Sequence, residues 1–322
     1  MTDFDVAVIG GGIAGTSAAY FLAPQTSVVV LEREATLGVH STGRSAALFT
    51  ECYERPIVRR LAVASREFLD RPPMGFSDTP LMAPRGVAFV ATADQVDRVE
   101  PSLREQQALV PSVRELPVPE LLEMCPVLDP AAIVAGIYEP DAKDIDVHAL
   151  HMGYRRGVLQ HGGRIVPGYG VDRLEHRQGV WHLGCGTEEI TARVVVNAAG
   201  AWCDMVATLA SAVPVGLVPK RRTAFTFDGP PGTADWPMIV DIDEQWYFKA
   251  EGPGLLGSPG DESPVEPQDV RHREEDVAIG IERIQSVTSL SIRSIRSAWA
   301  GLRSFVGEAG PVNGWDDQVP GF

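Results

Sequence analysis

Hydrophobic positions along this chain change period several times, and the first change comes within the opening residues. Val6-Ala7-Val8-Ile9 is an unbroken apolar run, the pattern of a strand covered on both faces. Glycines follow at 10, 12 and 15, and the small residues Thr16 to Ala19 lead into Tyr20-Phe21-Leu22 as the start of a helix. A second buried strand, Val28 to Leu31, ends in Glu32, and a third, Val194 to Asn197, runs into Ala198-Ala199-Gly200. Between them, "GGRIVPGYGVDRLE" and "GVWHLGCGTEEITA" alternate as hairpins do. Residues 72–140 are punctuated by proline and carry short helices at Val96–Leu109 and Pro119–Met124, and Asp146 caps a helix running through Leu150 and Tyr154. After Pro214 the chain reads as strands in "LVPKRRTAFTF", "PMIVDID" and "QWYFKA". An amphipathic helix around Val277, Ile281 and Ile284 follows, and then "SAWAGLRSF".

Composition narrows what this can be. A chain of 322 residues with 44% apolar content is sized for about two domains. A net charge of −15 argues against nucleic acid and anionic membrane, both of which need a basic face. Cys52, Cys125, Cys185 and Cys203 lie far apart, so neither a disulfide frame nor a metal site is expected. No run approaches the roughly 20 apolar residues of a transmembrane segment, and no signal peptide is evident. The expectation is a soluble cytoplasmic protein.

The glycine turn carries the first chemistry. Gly10 makes the tight turn, Gly12 lets backbone approach a pyrophosphate, and Gly15 allows close helix-on-strand packing. The helix N-terminus beyond them aims unpaired N–H groups at phosphate charge. Glu32 lies where the acceptor for ribose hydroxyls belongs, about 20 residues on. Arg33 follows, yet Glu32 repels a 2′-phosphate, which disfavours NADP. The same glycine spacing at Gly252, Gly254 and Gly257 is followed by Ser258-Pro259-Gly260 rather than a helix and reads as a hairpin turn.

Later segments decide between FAD and NAD. In order along the chain, "HSTGRSAA", "DIDVHAL", "NAAGAWCD", "PKRRTAF", "DWPM", "LLGSP" and "WAGLRSFV" resemble the D-amino-acid oxidase-like family of FAD-dependent amine oxidoreductases, most closely its D-arginine dehydrogenase-like branch. The resemblance implies an α/β fold: a Rossmann-like FAD-binding domain (residues 1–71, 141–213 and 306–322) and an α+β substrate domain with a mixed or antiparallel sheet (72–140 and 214–305). It implies that Gly10, Gly12, Ile13, Ala14, Gly15, Glu32 and Arg33 hold the adenosine and pyrophosphate. Ser41, Thr42, Gly43, Arg44, Ser45 and Ala46 form a turn and helix start beside the flavin. Val171, Ala198, Gly200 and Trp202 complete the cofactor site. Arg222 and Arg303 match the substrate-carboxylate anchors, guanidinium forks suited to bidentate pairing, and Tyr53 and Tyr247 match their hydroxyl partners.

The activity implied is oxidation of a small-molecule D-amino acid or amine by hydride transfer from Cα to FAD. The imino acid is then hydrolysed to a 2-oxo acid and ammonia, and the electron acceptor is left open between oxygen and a quinone-like molecule. Departures from the family pattern matter too. Leu48 and the stretch Arg85 to Val90 lack the histidine and the carboxylate of D-arginine-preferring relatives, so a neutral or apolar D-amino acid is expected unless Glu51 faces inward. The end of the chain, "NGWDDQVPGF", falls where the family continues into a strand, a turn and a long helix over the flavin, so a truncated chain with an open groove and weak FAD affinity is expected. A secondary-amine oxidase of sarcosine or glycine type, a non-catalytic relative and, more distantly, an NAD dehydrogenase stay open as alternatives.

Overall fold

A computed structural model describes residues 2–53, 55–307 and 310–322. The opening apolar runs form the centre of a six-stranded sheet, in the order Arg173–Arg177, Val180–Cys185, Glu188–Asn197, Phe4–Ile9, Val28–Glu32, Arg164–Pro167. Phe4–Ile9 pairs in parallel with both Val28–Glu32 and Glu188–Asn197. Helix Ile13–Leu22 crosses between the first two strands, and helix Val147–Gln160 lies beside it. They approach closely because Gly157 has no side chain where a Cβ would stand 2.3 Å from the Tyr20 ring. Asp146 caps the second helix as expected, its carboxylate accepting from the Ala149 N–H at 2.8 Å.

The hairpin expected from "GGRIVPGYGVDRLE" divides in two. Arg173–Arg177 does pair antiparallel with Val180–Cys185, but Arg164–Pro167 joins the opposite edge, parallel to Val28–Glu32. It follows a crossover helix, and a crossover returns the chain in the parallel sense, which local alternation does not reveal.

The second sheet has eight strands, in the order Ile295–Val306, Leu217–Phe227, Gly254–Ser258, Tyr247–Glu251, Met238–Asp241, Val87–Thr92, Ile133–Glu139, Arg114–Glu115. Pairing is antiparallel except between Met238–Asp241 and Val87–Thr92, so the sheet is mixed. One face packs Phe225, Phe227 and Phe248 against Val277 and Ile284 of helix Glu274–Ser286 and Leu121 of helix Val118–Met124. The other face carries Ala224, Leu256, Tyr247, Val240 and Phe89 in a cluster that includes Cys52. Gly252 takes φ +54° in the turn between Tyr247–Glu251 and Gly254–Ser258, so the second glycine pattern is a hairpin. The helix expected at Val96–Leu109 is a 3₁₀ turn, Val96–Arg98, followed by a helix at Val99–Gln107.

A small sheet of Leu48–Phe49, Lys143–Ile145 and Met82–Pro84 joins the segments between the larger sheets. The last residues return to the first sheet, where Val195 N–H donates to the Gly321 carbonyl at 2.8 Å and Trp181 Nε1 to that of Pro320 at 3.2 Å. Among the described residues no helix is long and apolar enough to cross a membrane.

Candidate cofactor and substrate site

The glycine turn is packed to backbone contact at Gly10 and Gly15. Gly10 has φ +113°, and a Cβ there would lie 2.2 Å from the Ala198 carbonyl oxygen; a Cβ on Gly15 would lie 1.9 Å from that of Gly10. Strand end, turn and helix therefore touch through bare backbone. Gly12 is different. It caps helix Ile13–Leu22 without a side-chain hydrogen bond, the first turn has no acidic residue, and only Thr42 Oγ1 stands near its missing Cβ, at 3.4 Å. Thr42 Oγ1 takes the Ile13 N–H, and the helix dipole with the N–H groups of Ala14 and Gly15 is left to attract an external anion.

Glu32, buried at the end of its strand, accepts from Gly11 N–H at 2.8 Å and Glu34 N–H at 2.9 Å, one bond to each oxygen. A carboxylate has about four lone-pair sites, so capacity remains for hydroxyl donors. The turn, the open helix end and this carboxylate fit the pyrophosphate and ribose of a dinucleotide.

A residue outside the expected set supports the turn. His151, on helix Val147–Gln160, lies with Nε2 2.9 Å from the Gly11 carbonyl. Burial pulls its pKa below the ordinary histidine value, which keeps the ring neutral with Nε2–H donating to that carbonyl. Its place beside Leu150 and three residues before Tyr154 on the buried helix face was the signal available in the sequence.

The stretch expected beside the flavin folds as one 3₁₀ turn, Thr42–Arg44, rather than a helix start. Thr42 Oγ1 accepts from Ile13 N–H at 3.0 Å, and Ser41 Oγ donates to the Leu302 carbonyl at 2.6 Å. The Arg44 side chain is engaged within the protein. Its guanidinium donates to the carbonyls of Val270 (2.9 Å) and Ala300 (3.0 Å) and pairs with Asp269, so it ties the turn to the edge strand of the eight-stranded sheet and to the segment before helix Glu274–Ser286. Its own carbonyl accepts from Trp299 Nε1 at 3.1 Å. Thr42, Gly43, Ser45 and Ala46 line a cavity of about 690 Å³ together with His151 and Lys249. Trp202 has the Arg33 guanidinium over its ring at 4.7 Å and the His40 ring 4.6 Å away, tilted by 53°. Ala198 N–H donates to Ile9 at 2.9 Å, Gly200 takes φ +56°, and Val171 packs against the core of the first sheet.

The residues expected to bind substrate are gathered by strand register. Leu217–Phe227 and Ile295–Val306 pair with Lys220 opposite Arg303 and Arg222 opposite Gly301, so alternation puts Lys220, Arg222 and Arg303 on one face. Arg221 points the other way and is buried against Asp276 at 3.3 Å. Arg222 donates from Nε to the Asp261 carbonyl at 2.9 Å and from Nη2 to Glu262 at 3.1 Å. Arg303 Nη1 lies 3.8 Å from the same Glu262 oxygen, and its guanidinium stands over Tyr53, 5.6 Å from the ring centre. Arg222 and Arg303 are thereby brought together on Glu262, with Tyr53 against Arg303; sequence reasoning missed Glu262 because its partners are about forty positions away on each side. Tyr247 is buried on the same sheet face, two strands from Arg222, with Leu256 and Ala224 in its cluster.

A groove of about 1310 Å³ is lined by Tyr53, Lys220, Glu244, Glu262 and Arg303 with Asn197 of the first sheet. Burial raises the Glu262 pKa, but the Lys220 hydrogen bond and the charges of Lys220, Arg222 and Arg303 outweigh it and hold the group below the usual carboxylate range. Glu51 does not reach this groove. Both its oxygens are taken by Arg66, at 2.8 and 2.7 Å.

The family described as DAO, FAD dependent oxidoreductase, matches residues 5–322. Mitochondrial dimethylglycine dehydrogenase of Rattus norvegicus is 26% identical over 79% of this chain, which spans 30% of that protein's length. FAD-dependent oxidoreductase domain-containing protein 1 of Xenopus laevis is 24% identical, with 94% of this chain and 70% of that protein covered. Among solved structures, glycine oxidase from Geobacillus kaustophilus superposes with a TM-score of 0.86 at 20% identity, over 99% of this chain and 87% of the other. L-proline dehydrogenase from P. horikoshii does so at 0.86 and 18%, over 99% and 86%. These likenesses show the fold.

Proposed function

From the premise that this chain belongs to the DAO family of FAD dependent oxidoreductases, we propose that it oxidises the Cα–N bond of a small amino acid. The observation that carries this is the convergence of Arg222 and Arg303 on the Glu262 carboxylate, with Arg303, Glu262 and Tyr53 lining a groove and Tyr53 set against Arg303. Two guanidinium groups so placed bind a substrate carboxylate by charge-assisted hydrogen bonds. Tyr53 covers the Arg303 side, and Tyr247 supplies a hydroxyl from the same sheet face.

The backbone of Gly10, Gly12, Ile13, Ala14 and Gly15 holds the pyrophosphate of FAD, and Glu32 takes the ribose. Arg33, Trp202 and Val171 flank the adenosine. Ser41, Thr42, Gly43, Ser45 and Ala46 hold the flavin end, with Ala198 and Gly200 beneath the turn. FAD supplies the hydride acceptor for the substrate carbon. The protein's part is to fix the carboxylate, so that Cα presents one face, and to leave the amine neutral. Activity therefore rises with pH as the bound amine loses its proton, and a flat profile between pH 6 and 10 would count against the reading.

The side chain we assign is neutral or apolar and the configuration D, the finer reading that the D-arginine dehydrogenase-like motifs support. With Glu51 committed to Arg66, the carboxylate considered for pairing a basic substrate is already taken. An N-methylated amino acid as substrate, the class to which sarcosine also belongs, is favoured by one observation, the sequence likeness to dimethylglycine dehydrogenase. The test is a visible spectrum of the purified chain loaded with FAD, followed anaerobically against D-methionine, D-phenylalanine, D-leucine, D-arginine, sarcosine and glycine. Bleaching fastest with a neutral D-amino acid supports the reading, whereas a preference for sarcosine or D-arginine overturns the substrate assignment. Arg303→Met should raise KM for the good substrate about 10- to 150-fold, the loss of a charged hydrogen bond.

A further inference from the structure

We infer that Glu262 is an internal stand-in for the substrate carboxylate, seated on Arg222 and Arg303 when the groove is empty and displaced by a carboxylate ligand. It thereby sets how tightly such ligands bind. The inference rests on the reading of Arg222 and Arg303 as substrate anchors.

The segment that carries Glu262 is tied down on both sides. Asp261 accepts from Thr223 through its backbone N–H (2.6 Å) and its hydroxyl (3.1 Å), and the Asp261 carbonyl accepts from Arg222 Nε. On the other side Arg221 N–H donates to the Ser263 carbonyl at 2.9 Å. The backbone is thus fixed to strand Leu217–Phe227 while the Glu262 side chain, 43% exposed, has water to rotate into. Lys220 Nζ holds its second oxygen at 2.7 Å, and Lys220 is itself partly exposed. Glu262 can therefore release the guanidinium groups and keep Lys220 as a pivot.

Arg222 is different, because its side chain is only 14% exposed. A charge so far removed from water requires an anionic partner. Exchanging one carboxylate for another satisfies that requirement, and a neutral ligand does not. The exchange makes the groove selective for acids and weakens each acid by the strength of the contact it must replace.

The experiment is calorimetric titration of the FAD-loaded protein with butanoate and with butanamide. In Glu262→Gln, butanoate should bind at least tenfold more tightly than in the wild type, with butanamide unchanged. Glu262→Ala should show the same gain, and thermal unfolding checks that both variants are folded. Arg303→Met should lose the butanoate signal. If the Glu262 variants bind butanoate no better while Arg303→Met loses it, the anchors stand and the stand-in role is refuted. If Arg303→Met binds butanoate as the wild type does, the anchor reading fails and the inference falls with it.

Discussion

Gly15→Ala is the sharpest test of the packing that shapes the cofactor turn. The added methyl would lie 1.9 Å from the Gly10 carbonyl oxygen and 3.2 Å from Val8 Cγ1. An ordinary carbon–oxygen contact is about 3.3 Å, so helix Ile13–Leu22 must lift from the turn by more than about 1 Å. Overpacking of this kind costs about 1–3 kcal/mol, which for a chain of this size lowers Tm by about 2–6 °C. The same shift moves the helix N-terminus away from the pyrophosphate, and losing a hydrogen bond to a charged group there, about 2.7 kcal/mol, raises the FAD Kd on the order of 100-fold. Thermal unfolding followed by far-ultraviolet circular dichroism, with and without FAD, reads both effects. FAD at a hundred times the wild-type Kd stabilises the wild type by about 2.7 kcal/mol. The same concentration, now equal to the variant's Kd, contributes about 0.4 kcal/mol to Gly15→Ala. Gly12→Ala separates the two effects, because its Cβ meets only Thr42 Oγ1 at 3.4 Å: its Tm without FAD should stay near wild type while the FAD shift shrinks. An unchanged Tm and an unchanged FAD shift in Gly15→Ala would refute the reasoning.

Two further predictions concern buried polar groups. His151 has a folded pKa below the ordinary value of about 6.5. Below that pH the unfolded chain gains a proton that the folded chain resists, so stability is lost as pH falls and retained above it. NMR titration of the His151 ring should place its midpoint under 6.5, and His151→Gln should flatten the fall in Tm between pH 7 and 5. Arg66→Met strands the buried Glu51 carboxylate and should cost about 3 kcal/mol in urea unfolding, most of it recovered when Glu51→Gln is added; no recovery would mean that the Glu51–Arg66 contact is not what the loss reports.

Much of the fold was legible because its signals are local. Strand Leu217–Phe227 coincides with the run "LVPKRRTAFTF", since an alternating sequence of that length has few other ways to bury one face. The turn around Gly10 to Gly15 was equally plain, because glycine spacing, a buried strand before and a helix after are all contained in one short stretch. Even the common face of Arg222 and Arg303 was implicit in alternation, once their strands pair with Lys220 opposite Arg303.

What the tertiary structure decided was the partner of each charge. Arg44 lies in a motif that suggests cofactor contact, yet its guanidinium is spent on Asp269, Val270 and Ala300. Glu51 stands close to Tyr53 in sequence and turns instead to Arg66. Glu262 belongs to no motif and still sits on the two predicted anchors, and Arg164–Pro167 pairs in parallel across the sheet rather than with its neighbour. The apolar pattern by itself determines which residues are buried and in what kind of element, because burial is non-directional and repeats with the local period. A hydrogen bond or ion pair is directional and short in range, so its partner is settled only when register and packing bring distant segments to within about 3 Å.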